Sequence, residues 1–283
     1  MKNLKSVKTI STGTWKVVEF ESIQEFYEYI TNTPTNAAFA KREARHDLSS
    51  QDKDRVKWSG TESFEEAAEL FRNGWTIGAQ NLTQKLKLAE TNKEVQTTYK
   101  NILDVCGYQA IVPLYLNGVP CNMVNRKMVP VKKKVITINK AVCCSCSVSS
   151  ETLMNESIKA FQIIKKIEAT GIRVNLNLLI STGHVCVKIK LKSANERLNI
   201  SKLAFPLVHP SMFRRLYFRF IEVYPTIPSS FAYGYGKVPI ASDFKAVCGK
   251  DEILLPTLLC GKTEDEIQRL SVDELIDMLS RQV

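Results

Sequence analysis

No stretch of this sequence approaches the ~18 consecutive apolar residues of a transmembrane helix. The apolar runs it has, such as Leu176 to Ile180, are of strand length. The first twenty residues, MKNLKSVKTISTGTWKVVEF, lack a secretory signal's apolar stretch of roughly 7–15 residues, because Ser, Thr and Lys interrupt them. Histidine is scarce: His46, His184 and His209 are the whole set, and none neighbours a Ser or Cys nucleophile motif. There is no G-x-S-x-G, no Walker loop and no G-x-G-x-x-G opening a helix after a strand. These absences remove the nucleophile-elbow, P-loop and dinucleotide templates. No internal repeat or low-complexity tract is present, which excludes solenoids and fibres.

What remains is an ordinary globular composition. The 283 residues are 44% hydrophobic and 24% charged, enough to bury a sizeable core in one or two domains. Eight cysteines, Cys106, Cys121, Cys143, Cys144, Cys146, Cys186, Cys248 and Cys260, fall in apolar, strand-like settings. With a large core and no signal, reduced thiols in a cytosolic compartment are expected. The net charge of +10 is uneven. Residues 1–130 carry +2, residues 131–250 carry +13 and residues 251–283 carry −5. The middle segment is the expected electrostatic face.

Local signals divide the chain into two regions, 1–130 and 131–283, joined near Val119 to Val131. In the first, Thr14 to Phe20 reads as a strand. Ser22 with Glu25 and Ser63 with Glu66 match capping boxes, so helices should follow each serine. The second of these helices should stop at Gly74, with Trp75 packing back on Leu70. A further helix is expected from Ile77 to Ala89. In the second region, Val135 to Val148 reads as a strand. A helix to Ala169 follows, with Met154, Ile158, Phe161, Ile164 and Ile167 on one stripe. Arg173 to Ile180 is the next strand, and Ser181 to His184 a hairpin turn. Val185 to Leu191 alternates strictly, with Val185, Val187, Ile189 and Leu191 on one face and Cys186, Lys188 and Lys190 on the other. That strand is expected at a sheet edge, where lysines deter pairing. Met212 to Val223 reads as an aromatic helix, Ile253 to Leu259 as a buried strand, and the C-terminus as helical behind two capping boxes. This order predicts an α/β fold with a mostly parallel, Rossmann-like sheet, one antiparallel edge strand, and a smaller, mainly helical N-terminal region. An antiparallel strand after the first crossover resembles the von Willebrand factor A type of domain.

Candidate chemistry follows from that topology. Open parallel sheets bind ligands at the carboxyl ends of their strands. Here that end is Cys143-Cys144-Ser145-Cys146-Ser147-Val148-Ser149. A metal-dependent adhesion site needs Asp-x-Ser-x-Ser there, with the carboxylate as hard anionic ligand. Ser145, Ser147 and Ser149 supply hydroxyls, but no Asp precedes them, so no metal or cofactor is expected. Two readings of the segment stay open, a degenerate ligand site and a plain strand end. Cys143 and Cys146 have C-x-x-C spacing but lie before the helix rather than on its N-terminus, which reads as buried small side chains. The aromatic loop around Gly234, Tyr235 and Gly236 fits base stacking, a protein partner or its own packing. Lys132, Lys133 and Lys134, the strand lysines Lys188, Lys190 and Lys192, and Arg214, Arg215 and Arg219 among Phe213, Tyr217, Phe218 and Phe220 form a basic set interleaved with aromatics. Such a set suits phosphate contacts and base stacking, or an amphipathic helix on a solvated face.

The segment Trp58-Ser-Gly-Thr-Glu-Ser-Phe-Glu-Glu-Ala67, followed by Asn73-Gly74-Trp75, resembles a family of tailed-bacteriophage proteins without assigned activity. The Asn122-Met123 pair and the passage Ile167 to Val174 are similar to the same family. The resemblance spans roughly Trp58 to Ile180 and brings no catalytic residues. It implies a phage origin and a role in the virion, its assembly or the infected cell, located in the virion or the host cytoplasm. The first expectation is therefore a non-catalytic structural or assembly protein, partnered by other phage proteins or by itself and not by a membrane. The alternative is a basic protein that binds or processes nucleic acid. A metal- or nucleotide-dependent enzyme comes third.

Overall fold

A computed structural model of the chain describes residues 8–12, 15–40, 44–47, 53–88, 99–128, 135–143, 148–169, 171–182, 185–225, 244 and 246–255. The N-terminal half contains β1 (Lys8–Thr12), β2 (Trp15–Phe20), α1 (Ile23–Asn32), α2 (Lys53–Ser59), α3 (Phe64–Asn73) and α4 (Thr76–Leu88). Next come β3 (Tyr99–Asp104), β4 (Gln109–Ala110), α5 (Val112–Leu116) and β5 (Met123–Met128). The remainder contains β6 (Val135–Ala141), α6 (Ser150–Ala169), β7 (Arg173–Thr182), β8 (Val185–Lys192), α7 (Ile200–Val208), α8 (Phe218–Val223) and β9 (Glu252–Leu255). A π-helical turn, Met212–Tyr217, leads directly into α8.

Local chemistry explains the helix ends. Ser22 Oγ accepts the Glu25 N–H at 3.1 Å, and Ser63 Oγ accepts the Glu66 N–H at 3.0 Å. Each glutamate reaches back one residue beyond the cap, to the N–H of Glu21 and of Glu62. Gly74 stops α3 at φ +94°, a conformation open to glycine without strain, and its N–H reaches the Leu70 carbonyl. The aromatic helix expected over 212–223 is present, but its first six residues are wound as π-helix. The expected strand from Val135 ends at Ala141, and the one near Ile253 runs Glu252–Leu255. The C-terminal helices and the Gly234–Gly236 loop lie outside the described residues.

Six strands form the main sheet in the order β1-β2-β8-β7-β6-β9. Three pairings are parallel (β2 with β8, β6 with β7, β6 with β9) and two antiparallel (β1 with β2, β7 with β8). The sheet is thus mixed with parallel pairings in the majority. The hairpin from β7 to β8 is as the sequence implied, with Thr182 opposite Val185. The expectation that β8 is an edge strand is corrected. β2 pairs along it from Lys16 with Val185 to Phe20 with Ile189. Lysine deters pairing only when its charge has nowhere to go. Here Glu19 stands opposite Lys188, and Glu252 on β9 holds its ammonium at 2.7 Å. The division at residue 130 is also crossed: one hydrophobic cluster runs from Val17 to Leu255 and includes Phe26, Phe71, Phe205 and Phe220.

The two faces of the main sheet differ. One carries Phe20, Ile189, Leu178 and Lys140. Against it lie α1 and α8, through Phe26 and Phe220, and α6, through Glu156. The other carries a row of hydrogen-bonded polar groups, Lys188, Asn177, Asn139 and Glu252.

The second sheet is small and antiparallel, in the order β3-β5-β4. Its central strand, Met123–Met128, falls within the stretch Val119 to Val131 expected to join two regions. Gly107 lets the turn before β4 close: a Cβ there would sit 2.2 Å from the Val124 carbonyl oxygen, which accepts the Tyr108 N–H at 2.9 Å.

Candidate interaction site

Arg214 and Arg215 were candidates for a basic outer face. They are instead 3% and 2% exposed. Their guanidinium groups fasten the Trp58-Ser59-Gly60-Thr61-Glu62 segment to the helix that bears them. Arg214 donates to the Trp58 carbonyl at 2.5 Å and to the Val148 carbonyl at 3.3 Å, and lies 4.6 Å over the Trp58 ring. Arg215 donates to the carbonyls of Thr61 (2.7 Å), Glu62 (3.0 Å) and His46 (3.2 Å), and to Ser59 Oγ (3.2 Å). Its Nε is the one buried side-chain nitrogen or oxygen without a partner among the described residues. Ser211 completes the joint by donating to the Ser59 carbonyl at 2.6 Å and sharing a 2.9 Å contact with the Thr61 hydroxyl. Gly60 sits at φ +86°, where a Cβ would meet Pro210 Cγ at 2.7 Å. The tryptophan–glycine motif is therefore an arginine-clamped joint.

Arg219 behaves in the same way, donating to the Ile30 and Thr33 carbonyls and, at 2.7 Å, to Thr35 Oγ1. One turn on, Glu222 accepts the N–H groups of Arg45 and His46, and its other oxygen meets His46 Nδ1. His209 lies stacked on Phe205 and edge-on to Trp75, with ring centroids 4.6 and 4.7 Å away. Burial pushes its imidazole down to about 4, so it is neutral at pH 7. Its Nδ1 accepts the Ser211 N–H at 3.2 Å, a packing bond and not a nucleophile–base bond.

The lysines divide. Lys132, Lys133 and Lys134 lie outside the described residues. Lys188 is held between Glu252 and Glu19. Lys190, 40% exposed at its side chain, stands 3.5 Å from Glu21. A bulge between Leu176 and Asn177 in the β7–β8 register sets Lys192 opposite Leu176. Its ammonium is consequently buried on the helix-covered face, bonded to Glu168 at 2.6 Å and to the Val174 carbonyl. Strict alternation failed there by one residue. Of the nine basic candidates, the described ones do not converge on one open face.

The strand-end segment is described only in part, since Cys144 to Ser147 lie outside the described residues. Ser149 caps α6, its Oγ accepting the Thr152 N–H at 3.1 Å. Cys143 Sγ donates to the Ser181 carbonyl (3.1 Å) and accepts its N–H (2.9 Å). Burial, with Cys143 and Cys248 near, holds the Cys186 thiol well above its ordinary range. Burial and then Glu252 push the Cys248 thiol up to about 11. These are protonated, unreactive thiols. Cys106 and Cys121 are different from expectation: they are exposed, on the turns of the small sheet. Among the described residues no group of three or more His, Cys, Asp or Glu could hold a metal ion, and no helix is long and apolar enough to cross a membrane.

The feature that sequence reasoning missed is the segment 99–128. None of the side chains described between residues 101 and 126 is buried. Leu103, Val105, Tyr108, Val112, Tyr115, Leu116 and Val119 are between 36% and 76% exposed. A three-stranded sheet ordinarily needs a hydrophobic face packed on something to be stable. Seven large apolar side chains facing water along seventeen residues are the signature of a docking element. The signal in the sequence was composition without polar alternation: Ile111 to Leu116 reads IVPLYL, too short for a helical stripe.

The described residues thus define a mixed α/β protein whose buried polar groups fasten its elements together and most of whose exposed large apolar side chains gather in the small sheet and α5. Residues 6–281 match the family model described as Domain of unknown function (DUF7192), and the chain belongs to that family. Comparison with curated proteins and with solved structures finds no match.

Proposed function

We propose that this chain is a phage-encoded, non-catalytic structural or assembly protein that works by docking, in the virion or in the infected cell, through its 99–128 segment. The observation that carries the reading is the coreless small sheet with α5, whose apolar side chains are exposed. Burying such surface contributes about 25 cal/mol per Å2, so a partner that covers it is strongly favoured. The sequence resemblance to tailed-phage proteins supplies the setting. The partial order β8-β7-β6-β9, with β8 antiparallel to β7, supports the von Willebrand A-like likeness of the main sheet. Such sheets serve as docking platforms as readily as enzymes.

The nucleic-acid reading loses its strongest residues, because Arg214, Arg215 and Arg219 donate to this chain's own carbonyls. It retains the charge of +13 over residues 131–250. Two measurements separate the readings. Mass spectrometry of purified particles and of assembly intermediates should find peptides of this chain, and particles made with Leu116→Glu should carry less of it. Absence from every particle and intermediate, together with tight binding to DNA or RNA that falls steeply with salt, would replace the docking reading with the nucleic-acid one.

A further inference from the structure

A strand edge without a partner among the described residues completes the docking element. Among the described residues, β3 pairs on one side only, with β5, so its other side presents a row of backbone donors and acceptors. We propose that the occupant of this edge is β3 of a second copy of the chain, paired antiparallel about a two-fold axis at Ile102. This inference rests on the docking reading above and names the partner.

Charge complementarity singles out that occupant. In a two-fold antiparallel pair, residue i of one copy stands opposite residue 204 − i of the other when Ile102 lies on the axis. Position 100, a lysine, then faces position 104, an aspartate, twice over. Ile102 faces itself, and Asn101 faces Leu103. All four charges at the edge are matched by a copy of the same six residues. The outer strand of the main sheet lacks this property. Pairing β1 with itself about Ile10 would set Lys8 opposite Thr12, leaving both lysines unmatched. The exposed side chains agree with the placement. Leu103 stands 49% exposed beside the proposed axis, and Val105 is 66% exposed at its end, where a second strand would cover them. The joined sheet would have six strands instead of three.

Sedimentation velocity of the full chain tests this, across a range of concentrations at low salt. The wild type should sediment as a dimer. Lys100→Glu and Asp104→Lys each place like charges opposite one another twice, and each should weaken the dimer on the order of tenfold or more. An equimolar mixture of the two variants should restore it, because in the mixed dimer every one of these positions again faces its opposite charge. The double variant Lys100→Glu plus Asp104→Lys should also dimerise, which shows that the single variants lost pairing and not folding. A monomeric wild type at every concentration overturns the pairing of copies. So does a mixture no tighter than its components. Neither result touches the docking reading itself, which stands or falls on the particle fractions and on Leu116→Glu.

Discussion

Replacing Arg215 by methionine isolates what the arginine clamp contributes. Methionine keeps most of the volume and removes all five donors. The carbonyls of His46, Thr61 and Glu62 then lose an ionised donor, as does Ser59 Oγ. A buried carbonyl left without a partner costs about 1–3 kcal/mol. The Thr61 carbonyl keeps the Ser59 hydroxyl as a donor, so two carbonyls, of His46 and Glu62, would be orphaned at roughly 2–6 kcal/mol if neither relaxed toward another donor. Against this, the variant relieves the burial of a charge and of an unpartnered Nε, several kcal/mol per ion in principle. Asp47 Oδ1, 3.7 Å from the guanidinium and partly exposed, adds little to either side. The balance is a loss of about 2–4 kcal/mol, a large part of the 5–15 kcal/mol by which domains are stable. Urea unfolding should read this as a midpoint lowered by roughly 1 M with an unchanged slope. Repeating the titration at several ionic strengths should leave the difference unchanged, because the lost bonds are buried and poorly screened. Arg215→Lys should fall between the two, since an ammonium cannot span four acceptors. A variant with wild-type stability but weakened binding to nucleic acid would refute the clamp and return Arg215 to the basic face.

Gly60→Ala should destabilise by at least about 2 kcal/mol, from left-handed backbone strain and the Pro210 clash, and lower the thermal midpoint accordingly. Leu116→Ser, at an exposed position, should leave unfolding within about 0.5 kcal/mol of wild type while reducing recovery with particles. The folded His209 titrates near 4 and the unfolded one near 6.5, so the unfolded chain binds the extra proton between these values. Stability should be full above pH 6.5 and fall by up to about 1.4 kcal/mol per pH unit toward pH 4. His209→Asn should flatten that part of the profile, and a slope identical to wild type would show that His209 is not its source.

Helix boundaries were legible because they are local. Ser22 with Glu25 and Ser63 with Glu66 carry their partners within four residues, and Gly74 carries its own stop. The β7–β8 hairpin was equally local. The place of β8 was not, because its second neighbour lies some 170 residues earlier in sequence and leaves no periodic trace near it. Arg214 and Arg215 among aromatics look the same whether they face water or a ring of carbonyls. The acceptors are backbone atoms of Trp58, Thr61 and Glu62, which the residue types do not reveal. Helix α7 escaped notice because Pro206 sits inside it, although Asn199 caps it at 3.2 Å. The exposed residues of 99–128 were invisible for the opposite reason. Apolar side chains are assigned to a core by default, and only the tertiary structure places them outside it.

The pairing of β2 with β8 has a consequence for the chain during its synthesis. At about 5–20 residues per second, β2 emerges roughly 10–30 s before the strand it must join. Through that interval Val17, Val18 and Phe20 lack β8, the strand that joins β2 to the rest of the sheet, and Phe220. The N-terminal region is therefore unfinished until nearly the whole polypeptide has left the ribosome. A fragment ending at residue 130 should be recovered as aggregate or degraded, while the same residues supplied with 131–283 in trans should be drawn back into a folded complex.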